Sequence, residues 1–280
     1  MASLREIKDR ISSVKSTLKI TSAMKLVASS KLRKAQKTIE TMRPYESALN
    51  DILGSLGSKA EFVAAPLREG AKVAVVAVSS NSSLCGGFNT AVIKKTLSFL
   101  RDCGSAEAYA VGRKMSETLR REGYPSPEDY MELIAHPSYD KSCALAQQLV
   151  ARYAAGELSR IVLIYSHFVN AAKQVPVVET LLPFTPADVA ASADDFDFIV
   201  EPGRDEVASI LLPQVLMLKF HAAILDSAAA EHAARTLAMQ TATDNAQDLM
   251  GSLTLEYNKG RQQKITAEIL DLLGGASANN

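Results

Sequence analysis

The sequence predicts an α/β fold in which two very long terminal helices pair as an antiparallel coiled coil around a central strand-and-helix domain. Three observations predict it. A heptad repeat runs through the first fifty residues, a second helical stretch of similar character closes the chain, and the residues between them alternate short apolar runs with helical periods.

Written as heptads from Leu4, the a and d positions are Leu4, Ile7, Ile11, Val14, Leu18, Thr21, Lys25, Ala28, Leu32, Ala35, Ile39, Met42, Glu46 and Leu49. All but Thr21, Lys25 and Glu46 are apolar, and a 3.5-residue period held this long argues for a left-handed supercoil. Until Pro44 no proline or glycine interrupts it, so the pattern predicts a helix from Leu4 to about Leu56 with a kink or break at the proline. From Glu206 to Leu273 only Pro213, Gly251 and Gly260 disturb a helical composition. Its seam reads Leu211, Val215, Leu218, Ala222, Leu225, Ala229, His232, Thr236, Met239, Thr243, Ala246, Met250, Leu253 and Tyr257. The Ala and Thr in the middle of that seam let two helix axes approach closely, which makes the N-terminal helix its natural partner.

Lys72 to Val78 and Ala106 to Val111 read as buried strands, followed by helices from about Asn89 to Arg101 and Arg113 to Glu122. A helix from about Ser142 to Ala155 leads into strands at Ile161 to Phe168 and Val175 to Leu182, with a last strand at Phe196 to Val200. Strand, helix, strand at this spacing implies right-handed crossovers and a mainly parallel, Rossmann-like sheet. The segments divide as an N-terminal rod helix over 1–60, a central α/β domain over 68–202 and a C-terminal rod helix over 206–276.

Composition narrows the function. Hydrophobic residues make up 47% of the 280, aromatics only 6%, and there is no tryptophan, which favours helix packed on helix over an aromatic-lined pocket. The 31 basic and 31 acidic side chains cancel, but Arg5 to Arg43 carries eleven Lys or Arg against Glu6, Asp9 and Glu40, so the first segment asks for an acidic partner. Cys85, Cys103 and Cys143 lack the spacing of a metal site or redox pair, which fits a reducing compartment. With no basic-then-apolar leader and no apolar run near 20 residues, the sequence predicts neither export nor a membrane span.

The loop Ser79 to Asn89 follows the first strand, where a nucleotide fold would hold phosphate. It lacks the GxGxxG spacing and the Lys-Ser/Thr ending of a P-loop, so a structural turn is the better reading, with Gly86 and Gly87 there for backbone geometry and Asn89 capping the helix. Cys85 reads as a buried structural cysteine, and His136, His167, His221 and His232 show no ligand pairing, so no metal or other cofactor is expected. His232, on the seam, reads as a packing or register residue. More telling is a second apolar stripe on the N-terminal helix: Ile20, Met24 and Val27 lie off the seam at helical spacing, beside Lys25, Lys31, Arg33, Lys34 and Lys37. Apolar residues outside the seam next to clustered cations predict a sleeve of protein around the helix pair.

These features sit in ordered motifs. Ile20 to Ala28 and Lys31 to Gln36 are followed by Leu84-Cys85-Gly86-Gly87-Phe88-Asn89, Val111-Gly112-Arg113-Lys114 and Leu181-Leu182-Pro183. The C-terminal helix carries Glu231-His232-Ala233-Ala234-Arg235, Ala242 to Ala246, Tyr257 to Gln262 and the closing Ile265 to Ala276. Together they resemble the gamma-subunit family of the F-type ATP synthases, the central rotor shaft, over almost the whole chain. Asp271 stands where the family usually has Glu, Asn81-Ser82-Ser83 replaces a more charged loop, and there is no inserted dithiol pair.

The resemblance implies a chain with no catalytic residue of its own, the rotor shaft of a proton-translocating enzyme that couples rotation of the membrane c-ring to conformational change at catalytic beta subunits during ATP synthesis or hydrolysis. Implied partners are the alpha and beta subunits, epsilon and the c-ring; no nucleic acid is implied, and membrane association comes only through the complex, peripheral to the cytoplasmic face of the bacterial inner membrane. Implied contact residues are Met24, Lys25, Leu26, Val27, Lys31, Arg33 and Lys34 on the first helix, and Arg235, Gln262, Thr266 and Glu268 on the last. Two other classes fit parts of the sequence. A nucleic-acid-binding coiled coil fits the basic helix but not the zero net charge, and a small nucleotide-using enzyme needs a phosphate loop and general base that are not visible.

Overall fold

The computed structural model describes residues 3–55, 67–184 and 199–277, the last seven of these as backbone only. Ten elements follow in order: α1 (Leu4–Ser55), β1 (Lys72–Val78), α2 (Phe88–Asp102), β2 (Ala106–Val111), α3 (Arg113–Arg121), α4 (Met131–Ala135), α5 (Tyr139–Ala154), β3 (Leu158–Asn170), β4 (Lys173–Leu182) and α6 (Arg204–Ser277). The chain divides into two compact units. A terminal unit takes Met1–Val27 and Thr236–Asn280, and a central unit takes Ala28–Arg235, so that α1 and α6 each contribute to both.

In the terminal unit the helices run antiparallel. Thr243 donates its hydroxyl to Thr21 Oγ1 at 2.9 Å, and Gly260 sits close enough to Leu4 that an added Cβ would stand 3.1 Å from its side chain. The same number of residues separates Thr21 from Leu4 as Thr243 from Gly260, so the two helices advance in step. Burial follows the predicted seam: Ile7 and Thr21 are buried on α1, as are Met239, Ala246 and Leu253 on α6, with exposed residues between them. The hydroxyls in this seam are satisfied at home, since Thr243 can also donate to Met239 O at 2.7 Å and Thr21 to Leu18 O at 3.2 Å. Small polar seam residues therefore cost no unpaired group.

The central unit is built on a four-stranded sheet in the order β2-β1-β3-β4. β1 pairs in parallel with β2 and β3, while β4 is antiparallel to β3. That last pairing follows from the connection, because Ala171 and Ala172 alone separate the two strands, too short for a crossover. Asn170 Oδ1 closes the turn by accepting from Ala172 N and Lys173 N, both at 2.9 Å. β1 alternates between two cores: Ala74, Val76 and Val78 face a large core shared with α4, α5, α6 and the end of α1, and Val75 and Ala77 face a smaller one under α2 and α3. A run buried on both faces is why β1 reads as continuously apolar instead of alternating.

Pro44 lies inside α1 and Pro213 inside α6 without ending either helix, so the break anticipated at Pro44 does not occur. α4, only five residues long, is not signalled by the sequence pattern. Residues 196–198 of the last predicted strand lie outside the described residues, and Ile199 and Val200 form no strand. α6 also corrects the expectation that no segment is apolar enough to span a membrane: it contains an 18-residue stretch of mean hydropathy 1.6. Because 56% of that stretch is buried inside the protein, α6 is a core helix by packing.

Candidate functional site

In an open sheet with this order, a nucleotide would bind beyond the C-terminal ends of β1 and β3, where the connections diverge to opposite sides. The loop after β1 fills that crevice from within. Its side chains and backbone cap α3, whose first three amides find partners there: Arg113 N donates to Asn81 Oδ1 at 2.9 Å, Lys114 N to Ser80 O at 3.2 Å and Met115 N to Ser79 Oγ at 2.8 Å. These are the donors that would otherwise be left orphaned at a helix start. The approach is close enough to require Gly112, which adopts φ 102° and whose added Cβ would stand 2.2 Å from Ser79 O.

Asn89, expected as the cap of α2, does something else. Helix α2 begins after Gly87 with no side-chain cap, and Asn89 Oδ1 instead accepts from Ser80 N at 3.1 Å and Ser80 Oγ at 2.9 Å. Asn89 Nδ2 lies 3.2 Å from Cys85 Sγ, and Cys85 is buried, as expected for a structural thiol. The loop is therefore closed on itself, with Leu84 at its tip in the left-handed region (φ 67°) and exposed.

Helix α6 closes the crevice from the other side. Ala230 and Ala234 pack against Cys85, Phe88 and Phe168. One turn of α6 then presents a buried ion pair, Glu231 with Arg235, at 6% and 9% exposure. The Arg235 guanidinium also donates to Ser82 Oγ at 2.8 Å and reaches the carbonyls of Ser82 and Ser83, each at 3.4 Å. Burial pushes the Glu231 carboxyl above its usual range, opposed by the charges of Arg235 and Lys31. Burial, with the same two cations, pushes His232 down to about 4, so its imidazole is neutral near pH 7.

The expected contact residues fall into separate settings. In the terminal unit, Leu26 and Val27 are 69% and 58% exposed and Ile20 is 60% exposed, while Met24 and Lys25 are half-buried. Gln262, Thr266 and Glu268 are exposed on the far part of α6, with Thr266 Oγ1 bonded to Gln262 O at 2.9 Å and Glu268 3.8 Å from Lys264. Leu237, Leu249, Leu255, Ile265, Ile269 and Leu270 are exposed along the same part of the helix. In the central unit Lys31, Arg33 and Lys34 are exposed, with Lys31 and Lys34 lining a cavity of about 430 Å³ with His136, Ser138 and His232. Arg235 departs from the rest, because its side chain is buried and turned into its own fold. Among the described residues no group of His, Cys, Asp or Glu is placed to hold a metal ion.

Such features define a class of chain with an α/β domain whose ligand crevice is filled and two long helices that leave large apolar side chains bare along their pairing region. Sequence comparison makes the class specific. Residues 3–278 match the ATP synthase family, and a relative from Phocaeicola vulgatus, an ATP synthase gamma chain, is 46% identical over 99% of this chain and 100% of its own length. Another gamma chain, from Pelotomaculum thermopropionicum, is 40% identical over 99% of both chains. Among solved structures, a chain of the Tetrahymena thermophila mitochondrial ATP synthase central stalk and c-ring matches with a TM-score of 0.59 at 25% identity, covering 80% of this chain and 99% of that one. A chain from the Euglena gracilis mitochondrial ATP synthase shares the fold with a TM-score of 0.68 at 18% identity, over 98% and 94% of the two chains. The chain belongs to the ATP synthase gamma chain family, and its role is that of a rotor shaft.

Proposed function

We propose that this chain turns inside a ring of alpha and beta subunits as the shaft of a proton-translocating ATP synthase, carrying rotation of a membrane c-ring to the catalytic sites of the beta subunits and, in hydrolysis, carrying it back. The chain itself contributes no catalytic residue. The helices at 1–60 and 206–276 serve as the shaft, and the α/β domain at 68–202 joins epsilon and the c-ring at the cytoplasmic face of the bacterial inner membrane, to which the chain is held only through the complex.

The observation that carries this reading is the bare apolar surface of the terminal unit. Ile20, Leu26 and Val27 on α1 and Leu255 on α6 are at least 58% exposed, although the seam beside them is buried. Apolar side chains gathered on one part of a chain are a liability unless something covers them. A ring of neighbouring chains covers them and still allows rotation, because an apolar contact has no directional bond to break. Met24, Lys25, Leu26 and Val27 then form a bearing, Lys31, Arg33 and Lys34 meet acidic lever tips of the beta subunits, and Gln262, Thr266 and Glu268 supply polar contacts near the far end of α6. Purification of the tagged chain from native membranes tests this: alpha, beta and epsilon subunits with ATPase activity are expected, and recovery of the chain without alpha and beta would sink the proposal.

A further inference from the structure

The stretch of α6 that closes the crevice is almost featureless as a packing surface. Ala228, Ala229, Ala230, Ala233 and Ala234 are all buried, and methyl side chains raise only low ridges. Along these residues such a surface lets the helix come close to the loop and sheet but offers little that interlocks, so here, beyond the large side chains from Leu212 to Ile224 that lock α6 into the main core, packing alone resists twisting of the helix only weakly. Asp226, just before this stretch, accepts from Phe168 N at 3.1 Å, and at its far end the Glu231–Arg235 pair reaches Ser82 and Ser83 across the crevice.

That loop is anchored in turn. Asn81 Nδ2 donates to Met131 O at 2.8 Å, and Arg113 Nε donates to Asn81 O at 2.9 Å, so the segment gripped by Arg235 is tied to both α3 and α4. A buried ion pair is a poor choice if stability is the only need, since well-packed apolar residues serve as well or better. What it supplies here is directionality, because a charge-assisted hydrogen bond has one good geometry where an alanine contact has many.

We propose that Arg235, oriented by Glu231, is the bolt that fixes the last turn of this alanine stretch on the α/β domain, so that torque entering the domain passes into the helix beyond it without local twisting slip. Arg235 is in this sense a positioning residue, and the proposal rests on the rotor-shaft reading. α6 continues from Arg235 without interruption through Leu270, so a register fixed at the bolt is carried along the helix.

The test uses the assembled enzyme in inverted membrane vesicles, measuring protons pumped per ATP hydrolysed for Arg235→Ala, Arg235→Lys, Ser82→Ala and the Arg235→Ala/Ser82→Ala pair. Loss of a hydrogen bond to a charged group is expected to raise the population of slipped registers about tenfold in Arg235→Ala, seen as a lower pumping ratio with ATP hydrolysis better preserved. Ser82→Ala should show a smaller loss, the double variant no more than Arg235→Ala alone, and Arg235→Lys a partial recovery. An unchanged ratio in Arg235→Ala, or a ratio in the double variant that falls by the product of the two single effects, overturns the bolt. If Arg235→Ala does not assemble, Ser82→Ala decides, because the exposed Ser82 tolerates the change: a lowered ratio supports the bolt and an unchanged one overturns it. Failure of the wild-type chain to yield any coupled ATPase would instead reject the rotor reading.

Discussion

Helix α6 holds large apolar side chains in two regions, in opposite circumstances. In the central unit, from Leu212 to Arg235, it is buried on nearly every side: Leu212, Val215, Leu216, Met217, Leu218 and Phe220 are consecutive or near-consecutive core residues. In the terminal unit, from Thr236 onward, burial shrinks to one stripe through Met239, Ala246 and Leu253, and leucines and isoleucines elsewhere on the helix are exposed. Apolar content alone therefore does not distinguish a residue that holds the fold from one that awaits a partner. The difference lies in how many faces the rest of the chain covers.

Truncating one residue in each region should separate them most strongly. Phe220→Ala, at 1% exposure, is expected to lower stability by about 3–5 kcal/mol in denaturant titrations. Leu253→Ala, buried only against the facing helix, should cost about 2 kcal/mol, the low end for a leucine. Equal losses would contradict the claim that the two regions differ in coverage.

Acid should separate the regions next. Both histidines of α6, His221 and His232, lie in the central unit, and burial lowers the pKa of each, His232 to about 4. Between pH 6.5 and 4 the unfolded chain binds more protons than the folded one, so stability is full above the unfolded value and is lost as pH falls through that window. The loss attributable to His232 is about 2 kcal/mol after allowance for partial exposure. His232→Gln should flatten the pH dependence of the melting temperature in that window, and an unaltered slope would remove His232 as its source.

A smaller effect is expected at Thr243→Val, which deletes the hydrogen bond to Thr21 in the terminal seam. Because Thr21 keeps its bond to Leu18 O, no buried hydroxyl is orphaned and the cost should be about 1 kcal/mol by thermal denaturation. A loss several times larger would show that this pair carries more of the seam than its geometry suggests.

Much of the terminal unit was legible because its helices obey the periodicity they were read by. Every predicted a or d position of α1 is at least half-buried, and between Leu4 and Leu49 only Ser22, Met24, Ser29 and Gln36 join them. The C-terminal seam holds through Tyr257 for the same reason, but it is too narrow a description before Thr236, where a helix covered on all sides has no period to find. The strands of the central unit were readable as apolar runs, and the antiparallel β4 could have been inferred from the short β3–β4 connection.

The filled crevice was less accessible. Asn89 looks like a helix cap from its position, and only the fold reveals that Ser80 occupies its acceptor. Arg235 looks like a surface cation among alanines. Its spacing of four from Glu231, with small residues filling the interval, was the available signal that the pair is turned inward.

If the bare apolar residues of the terminal unit are a bearing and not part of the fold, a charge placed among them should disturb coupling and leave stability alone. Leu26→Lys tests it directly, with Met24→Lys as its half-buried neighbour, by comparing the melting temperature of the isolated chain with protons pumped per ATP in vesicles. An unchanged melting temperature is expected for Leu26→Lys, and a lowered pumping ratio for both variants. A pumping ratio equal to wild type, or a loss of stability large enough to explain the change, would contradict the bearing.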